Sequence, residues 1–177
     1  MKDCFTPDFM FAHYWEVTPS FLAKQGIRAL LIDIDNTLAP YEMPDPDDRI
    51  RAWFAELKEN GIQAALVSNN HAPRVERFNE TLGLPAYPDS GKPKRKTLLK
   101  AIKQLGVSYS ETAVLGDQLL TDAYAGKRLG LRAIVVPPIK DKTNAFFRFK
   151  RLLERRFIRR YAKVHGKENW MSFWKIR

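Results

Sequence analysis

Two aspartates, Asp33 and Asp35, stand two residues apart directly after the apolar run Ala29–Ile32. Two carboxylates at the end of a buried strand are costly unless a cation or a substrate compensates their charge. In an open parallel sheet, ligands bind just beyond the carboxyl ends of the strands. The pair is therefore a candidate for chemistry, although a turn built on Asp35 and Asn36 would also account for it.

Other chemically useful side chains follow the later apolar segments of the chain. Ser68 and Asn69 close the second segment, Lys92 stands just before a predicted helix, and Asp117 and Asp122 follow the third regular segment. Parallel strands deliver their carboxyl ends to one edge of a sheet. We therefore expect carboxylates, a hydroxyl group and one ammonium group to meet at that edge.

This set of groups favours phosphoryl transfer assisted by a hard divalent cation. Mg²⁺ prefers carboxylate oxygens, needs few protein ligands and keeps several waters. A carboxylate can attack phosphorus to form an acyl phosphate, while a metal ion and a lysine stabilise the negative charge on the phosphoryl oxygens. The sequence thus predicts a Mg²⁺-dependent site that handles phosphate.

The segments around these residues alternate between strand and helix patterns. Strands are predicted at Ala29–Ile34, Gln63–Ser68, Thr112–Leu115 and Arg132–Val136, and helices at Asp47–Asn60, Pro73–Leu82, Lys94–Leu105 and Leu119–Leu129. Apolar runs bounded by glycine and proline mark the strands, and a 3.6-residue period marks the helices. This alternation predicts an α/β fold with a single Rossmann-like parallel sheet and helices on both of its faces.

Taken together, the motifs resemble those of the haloacid dehalogenase superfamily of phosphatases. The family's first motif, Asp-x-Asp-x-Thr, matches residues 33–37, its second matches Ser68, its third matches Lys92, and its fourth matches residues 116–122. The resemblance covers roughly residues 27–136. The residues within the four motifs are similar to those of the cap-less subclass IIIA, and in particular of its YqeG-like group. That group is itself similar to phosphatidylglycerophosphate phosphatases.

The resemblance implies a fold of the haloacid dehalogenase type and a role for each matching residue. Asp33 is implied as the nucleophile and Asp35 as the general acid/base. Ser68 and Lys92, together with Asn69, are implied to hold the phosphoryl group of the substrate.

The resemblance also implies a Mg²⁺ site. Its ligands would be Asp33, the main-chain carbonyl of Asp35, and Asp117. Asp122 would support these ligands or bind the metal directly. No motif residue departs from the family pattern, so we expect an active enzyme.

The spacing of the motifs narrows the class further. Asp33 and Ser68 are 35 residues apart, and Ser68 and Lys92 are 24 apart. Each interval holds one loop and one helix, which leaves no room for a cap domain. Lids exclude water and enclose small substrates. An open site is expected here, which suits a phosphate carried on a protein, a nucleic acid end or a lipid headgroup.

The formal net charge of +10 lies entirely in the last fifth of the chain. Residues 140–177 contain 13 basic and 3 acidic residues, whereas residues 1–139 contain 17 of each. A segregated basic segment indicates an anionic partner, either a membrane, a nucleic acid or an acidic protein.

Residues 143–164 predict a basic amphipathic helix. Its apolar face would hold Phe146, Phe149, Leu152, Leu153, Phe157, Tyr161 and Val164, and its opposite face Arg148, Arg151, Arg155, Arg159 and Lys163. Basic residues opposite aromatic ones are typical of a helix that lies in a membrane interface. Packing of the apolar face on the domain is an equally good interpretation, and nucleic acid binding is a weaker one.

Composition excludes several other classes of protein. With 45% hydrophobic and 28% charged residues, the 177-residue chain is typical of a folded globular protein. The single cysteine, Cys4, excludes an intrachain disulfide and favours a reducing compartment. No apolar stretch approaches the roughly 20 residues that span a bilayer. We expect a cytoplasmic protein, with peripheral attachment to the inner face of the membrane as the option that the basic tail opens.

The sequence therefore predicts three segments: an aromatic-rich N-terminal segment packing on the core (1–26), a catalytic domain (27–138) and a basic tail (139–177). The predicted activity is Mg²⁺-dependent phosphomonoester hydrolysis through a phosphoaspartate, acting on phosphatidylglycerophosphate to give phosphatidylglycerol. The alternatives are a phosphatase of a soluble phosphosugar, a phosphoprotein or a nucleic acid end, and a mainly non-enzymatic module that binds RNA or the ribosome.

Overall fold

A computed structural model describes residues 4–140 and 145–165, and the side chains of 4–140 and 152–165. Its centre is one sheet of six parallel strands in the order β1-β6-β5-β2-β3-β4. The strands are β1 (Phe9–Met10), β2 (Ala29–Ile32), β3 (Gln63–Val67), β4 (Ala86–Tyr87), β5 (Thr112–Gly116) and β6 (Arg132–Val135).

In the described residues, six α-helices cover the two faces of the sheet. They are α1 (Pro19–Lys24), α2 (Asp48–Glu59), α3 (Ala72–Asn79), α4 (Lys96–Leu105), α5 (Tyr124–Lys127) and α6 (Ala145–His165). A short 3₁₀ helix at Tyr14–Glu16 precedes α1, and a π-helical turn at Leu119–Ala123 leads into α5. The predicted α/β architecture is therefore confirmed.

The central strands are apolar on both sides because helices cover both faces. Leu30 and Ile32 of β2 pack with α1, α2 and α3, whereas Leu31 between them packs with α4, α5 and α6. Each strand thus contributes alternate residues to two separate hydrophobic cores. The sheet stands between them with its carboxyl edge open for ligands.

The N-terminal segment forms one edge strand of the sheet and contributes side chains to both hydrophobic cores. β1 pairs in parallel with β6, and the Asp8 carboxylate accepts hydrogen bonds from Lys127 Nζ and the Ala133 amide, each at 2.7 Å. The Trp53 indole of α2 donates to the Val17 carbonyl at 3.1 Å.

β1, α1 and β4 were not predicted, because two-residue strands and a six-residue helix give no hydrophobic period. The division of the chain at residues 26 and 138 stays a prediction.

The predicted helix at Leu119–Leu129 starts differently from the expectation. Its first part is the wide turn Leu119–Ala123, and regular α-helix is limited to Tyr124–Lys127. This local widening changes the spacing of side chains in the segment that follows Asp117. Insertions of this kind into helices are frequent at functional sites.

Helix α6 packs on the domain along a face that differs from the predicted one. Its buried residues are Glu154, Ile158, Tyr161 and Ala162, with Phe157 half-buried beside them. Leu152, Leu153 and Val164, which were assigned to the apolar face, are exposed by 60%, 45% and 73%. The packed face is turned by about a quarter of the helix circumference, toward Ile158 and Ala162. Phe146, Phe149, Arg148 and Arg151 lie outside the described side chains.

Between Asp33 of the first motif and Lys92 of the third, the described chain forms only α2, β3, α3, β4 and their connecting loops. No cap domain covers this part of the described structure, as the motif spacing predicted. Among the described residues, no helix is both long and apolar enough to cross a membrane.

Candidate active site

Lys92 stands at the centre of a buried charge cluster at the carboxyl edge of the sheet. Its Nζ lies 2.8 Å from Asp33 Oδ1 and 2.6 Å from Asp122 Oδ1. It also donates a hydrogen bond to the carbonyl of Val67, at the end of β3, at 2.6 Å. The lysine thus joins the ends of β2 and β3 to the turn after β5, and its side chain is only 5% exposed.

Three carboxylates, those of Asp33, Asp117 and Asp122, gather in this cluster. One oxygen of each lies within 4.8 Å of one oxygen of each of the others, and all three residues are buried. Asp33 and Asp117 directly follow the adjacent parallel strands β2 and β5, which brings them side by side. The turn after β5 then returns Asp122 to the same place.

Gly116 makes this return possible. A Cβ atom at Gly116 would lie 2.4 Å from the Asp122 carboxyl carbon, a separation that real Cβ atoms do not show. The Asp122 Oδ2 atom also accepts hydrogen bonds from the Gln118 amide and the Thr121 hydroxyl, both at 3.3 Å. The local sequence therefore fixes the Asp122 carboxylate against the end of β5.

The electrostatics of the cluster follow from burial and from the imbalance of charge. Burial raises the pKa of the Asp33 carboxyl from 3.8 to about 7, with Asp122 and Asp117 adding to the effect and Lys92 opposing it. Burial disfavours the charged form of Lys92 as well, but Asp122 and Asp33 outweigh it and raise the pKa of Lys92 above its ordinary value. Lys92 therefore stays protonated, and the charged form of the Asp33 carboxyl is disfavoured.

The donor set fits a divalent cation. Three buried carboxylates face one ammonium among the described side chains of the cluster, which leaves an excess of negative charge in a place poor in water. A cation held by oxygens of Asp33, Asp117 and Asp122 would neutralise that excess and lower the pKa of Asp33. This arrangement supports a divalent metal site here.

Asp35 lies outside the acidic cluster and has its own partners. Its Oδ2 accepts a hydrogen bond from Asn70 Nδ2 at 2.9 Å, and its Oδ1 accepts one from Arg74 Nε at 3.3 Å. Arg74 Nη2 lies 3.2 Å from the same Oδ1 but at an angle unsuited to hydrogen bonding, so this contact is an ion pair only. These two neighbours orient the Asp35 carboxylate. Metal binding through its main-chain carbonyl stays a prediction.

Ser68 and Asn69 follow β3 and lie beside the lysine loop. Ser68 is 1% exposed, and its Oγ accepts a hydrogen bond from the Asn70 amide at 3.1 Å. The Asn69 side chain accepts from the Lys92 amide at 2.7 Å and donates to the Lys92 carbonyl at 3.0 Å. Asn69 therefore positions the loop that carries the lysine, and phosphate binding by Ser68 and Asn69 stays a prediction.

Two partners of the site were not predicted from the sequence. Asn70 and Arg74 contact Asp35 only because α3 begins directly beyond β3 and turns its first residues toward the adjacent loop. Arg74 also donates to the carbonyl of Pro44 at 2.9 Å, in the loop that follows the first motif. No motif in the sequence marks this arginine, whereas the position of Asn70 directly after Ser68-Asn69 was a usable signal.

Comparison with known proteins places the chain in a family. The family model described as haloacid dehalogenase-like hydrolase matches residues 7–130. The "Probable phosphatase YqeG" of Bacillus subtilis (strain 168) is 35% identical over 158 residues, which cover 89% of this chain and 92% of that protein.

Solved structures share the fold at low sequence identity. An uncharacterised protein from Listeria monocytogenes serotype 4b is similar with a TM-score of 0.53 and 15% identity, covering 67% of this chain and 85% of that one. The cobalt-bound deoxy-D-mannose-octulosonate 8-phosphate phosphatase of Haemophilus influenzae has a TM-score of 0.50 and 17% identity, covering 81% and 95%. These two likenesses concern the fold alone. The family match and the Bacillus relative show that the chain belongs to the haloacid dehalogenase-like hydrolase family and is a phosphatase.

Proposed function

We propose that this phosphatase is a Mg²⁺-dependent phosphomonoesterase that forms a phosphoaspartate on Asp33 and acts on phosphatidylglycerophosphate at an anionic membrane surface. The observation that carries the chemistry is the buried cluster of Lys92 with Asp33, Asp117 and Asp122. The choice of substrate is supported by the lack of a cap domain in the described residues and by the exposed basic residues of α6.

Asp33 is the nucleophile of the proposed reaction. Its carboxylate oxygen attacks phosphorus, the bond from phosphorus to the glycerol oxygen breaks, and a phosphoaspartate forms. Lys92, held 2.8 Å from Asp33, and the Ser68 hydroxyl stabilise the charge on the phosphoryl oxygens. Asp33, Asp117 and Asp122 would hold a Mg²⁺ ion, which when bound would supply further charge neutralisation.

Asp35 moves the protons of both half-reactions. Its carboxyl group donates a proton to the departing glycerol oxygen, and the resulting carboxylate then takes a proton from the water that hydrolyses the phosphoaspartate. Asn70 and Arg74 hold this carboxylate at one rim of the site. The two-step reaction needs these two carboxyl groups at separate positions. Asp33 becomes phosphorylated, whereas Asp35 must stay free to exchange protons.

The open site supports a large or membrane-bound substrate. Between Asp33 and Lys92 the described chain has no cap domain that could enclose a small metabolite at this edge. A phospholipid monoester presents its phosphate at a membrane surface and cannot be drawn into a closed pocket. A catalytic edge without a cap domain is suited to such a headgroup.

The exposed face of α6 supports membrane attachment. It presents five basic residues and two exposed leucines on the side opposite the domain: Arg155, Arg156, Arg159, Arg160, Lys163, Leu152 and Leu153. Basic residues near an anionic leaflet contribute on the order of 1 kcal/mol each, and exposed apolar side chains add burial in the interface. The inner face of the same helix touches the turn at Leu119–Ala123, which follows the catalytic residue Asp117.

A charge-neutralised helix tests the membrane part of the proposal. Glutamine is placed at four exposed positions of α6: Arg155, Arg156, Arg159 and Lys163. We expect hydrolysis of phosphatidylglycerophosphate in anionic vesicles to fall about tenfold or more, since attraction to the leaflet is lost. Hydrolysis of soluble p-nitrophenyl phosphate should stay within about twofold. High salt should reproduce the loss in the wild-type protein, because screening acts on the same charges.

A matched control removes the same charge elsewhere, with glutamine at four other exposed lysines: Lys24, Lys58, Lys100 and Lys103. Equal losses in both variants would mean that net charge alone matters, which contradicts attachment through α6. If the helix variant keeps full activity on vesicles but loses binding to a short RNA, the nucleic acid alternative is favoured and the membrane proposal fails.

A further inference from the structure

A buried glutamate of α6 reaches the segment that carries the acidic cluster. Glu154 is 0% exposed, and its Oε1 accepts a hydrogen bond from the backbone amide of Leu120 at 3.3 Å. Leu120 lies between Asp117 and Asp122 in the turn after β5. The C-terminal helix thus contacts the backbone of the candidate metal-binding segment through a carboxylate.

The turn needs an acceptor at this position. Amides in the first turn of a helix have no partner within the helix itself. The wide turn begins at Leu119, and the side chain of its preceding residue, Gln118, makes no capping hydrogen bond. Glu154 supplies an acceptor from outside. Because the Asp122 carboxyl group occupies the space that a Cβ on Gly116 would need, the orientation of this turn controls the geometry of the cluster.

Packing alone does not account for a glutamate at this position. Ile158, Tyr161 and Ala162 already bury the inner face of α6. Removing a carboxylate from water is costly unless hydrogen bonds or charges compensate it. An apolar residue would dock the helix at lower cost, but it would leave the Leu120 amide without this acceptor.

We propose that Glu154 is a positioning residue for the metal site: it orients the turn between Asp117 and Asp122 and thereby sets the affinity for a divalent cation. This inference rests on the proposed Mg²⁺ dependence. It makes α6 part of the catalytic unit, so its outer face and its inner face serve different purposes. The outer face carries basic charge, and the inner face holds the turn.

The test measures Mg²⁺ binding directly, by calorimetry on the full-length protein without substrate. We expect Glu154→Ala to weaken Mg²⁺ binding about tenfold, within the range found when partners of metal ligands are removed. Glu154→Gln keeps an acceptor oxygen and should bind within about twofold of wild type. The reference variant Ile158→Ala removes buried packing from the same face of α6, and it should lower thermal stability in EDTA while leaving the Mg²⁺ Kd unchanged.

Three results would overturn the inference. They are a wild-type Kd in Glu154→Ala, an equal weakening in Ile158→Ala, and a loss in Glu154→Gln as large as in Glu154→Ala. If the alanine variant does not fold, Glu154→Met fills the same volume without an acceptor, and the same outcomes apply to it. Absence of Mg²⁺ binding in the wild-type protein would overturn the proposed function as well, whereas a failure confined to the Glu154 variants overturns this inference alone.

Discussion

Replacing Asp33 with asparagine should lower turnover by about 10⁴-fold or more, on soluble and lipid substrates alike. An amide oxygen is a poor nucleophile, and asparagine cannot form the phosphoaspartate. The fold should persist because the side chain keeps its shape and its place beside Lys92. Initial rates of phosphate release, with circular dichroism as the control for folding, measure the effect.

The matched control for this variant is Asp45→Asn. Asp45 is an exposed aspartate of the loop after the first motif, paired with Arg77 at 3.1 Å and outside the acidic cluster. It should keep nearly full activity. Near-normal turnover in Asp33→Asn, or full turnover of the wild-type protein in EDTA, would show that the reaction does not use this nucleophile or this metal site.

The second large effect is on stability in EDTA, where two neighbouring substitutions should act in opposite directions. Lys92→Met leaves the carboxylates of Asp33 and Asp122 buried without their ammonium partner, and it should lower the free energy of unfolding by about 3 to 5 kcal/mol. Asp33→Asn removes one of three crowded carboxylates and should raise the free energy of unfolding. Chemical denaturation of the three proteins measures both changes.

The stability difference between Asp33→Asn and wild type should depend on pH, which a change in packing alone would not produce. The pKa of Asp33 is 3.8 in the unfolded reference and about 7 in the folded, metal-free protein. Between these values the folded state binds more protons, so the contribution of Asp33 to stability falls as pH rises. The advantage of Asp33→Asn over wild type should therefore be small near pH 4 and fully developed above pH 7.

Mg²⁺ should reverse the order of the two proteins. It binds the wild-type cluster more tightly than a cluster that lacks one carboxylate, so saturating Mg²⁺ stabilises the wild type more. If Asp33→Asn is less stable than wild type in EDTA at pH 8, the cluster is not electrostatically strained. In that case the crowding of carboxylates does not drive metal binding at this site.

The sequence was sufficient to predict which residues meet at the site, because the carboxyl ends of parallel strands lie at one edge of the sheet. Asp33 and Asp117 follow adjacent strands, and Ser68 follows the neighbour on the other side. Each apolar run ends where its polar residues begin, so their meeting at one edge could be predicted. The short edge strands could not, since two residues such as Ala86–Tyr87 carry no period.

Contacts that depend on how helices are rotated were beyond prediction. The apolar stripe of α6 was read from its large side chains, yet the helix packs through Ile158 and Ala162, and Leu153 is exposed. Helical periodicity finds amphipathic faces but does not say which edge of a face meets the domain. Glu154 was missed for the same reason, because a glutamate in a basic helix looks like a solvated residue until its burial is known.

The link between Arg74 and Asp35 shows a second limit. It spans 39 residues and joins a loop to the first turn of α3, at a distance of 3.3 Å from Nε to Oδ1. Such a contact depends on the loop conformation between Asp35 and α2, which no local pattern specifies. Side chains that orient catalytic groups are therefore harder to predict than the catalytic groups themselves.

We propose that this phosphatase uses its Asp33 site on a phospholipid headgroup. The most direct test is phosphate release from phosphatidylglycerophosphate in anionic mixed micelles, compared with a phosphosugar, a nucleotide and a phosphopeptide at equal concentration. We expect the highest kcat/KM on the phospholipid, complete loss of activity in EDTA and loss of activity in Asp33→Asn. A higher kcat/KM on any of the soluble phosphates, with only background release from the phospholipid, would contradict it.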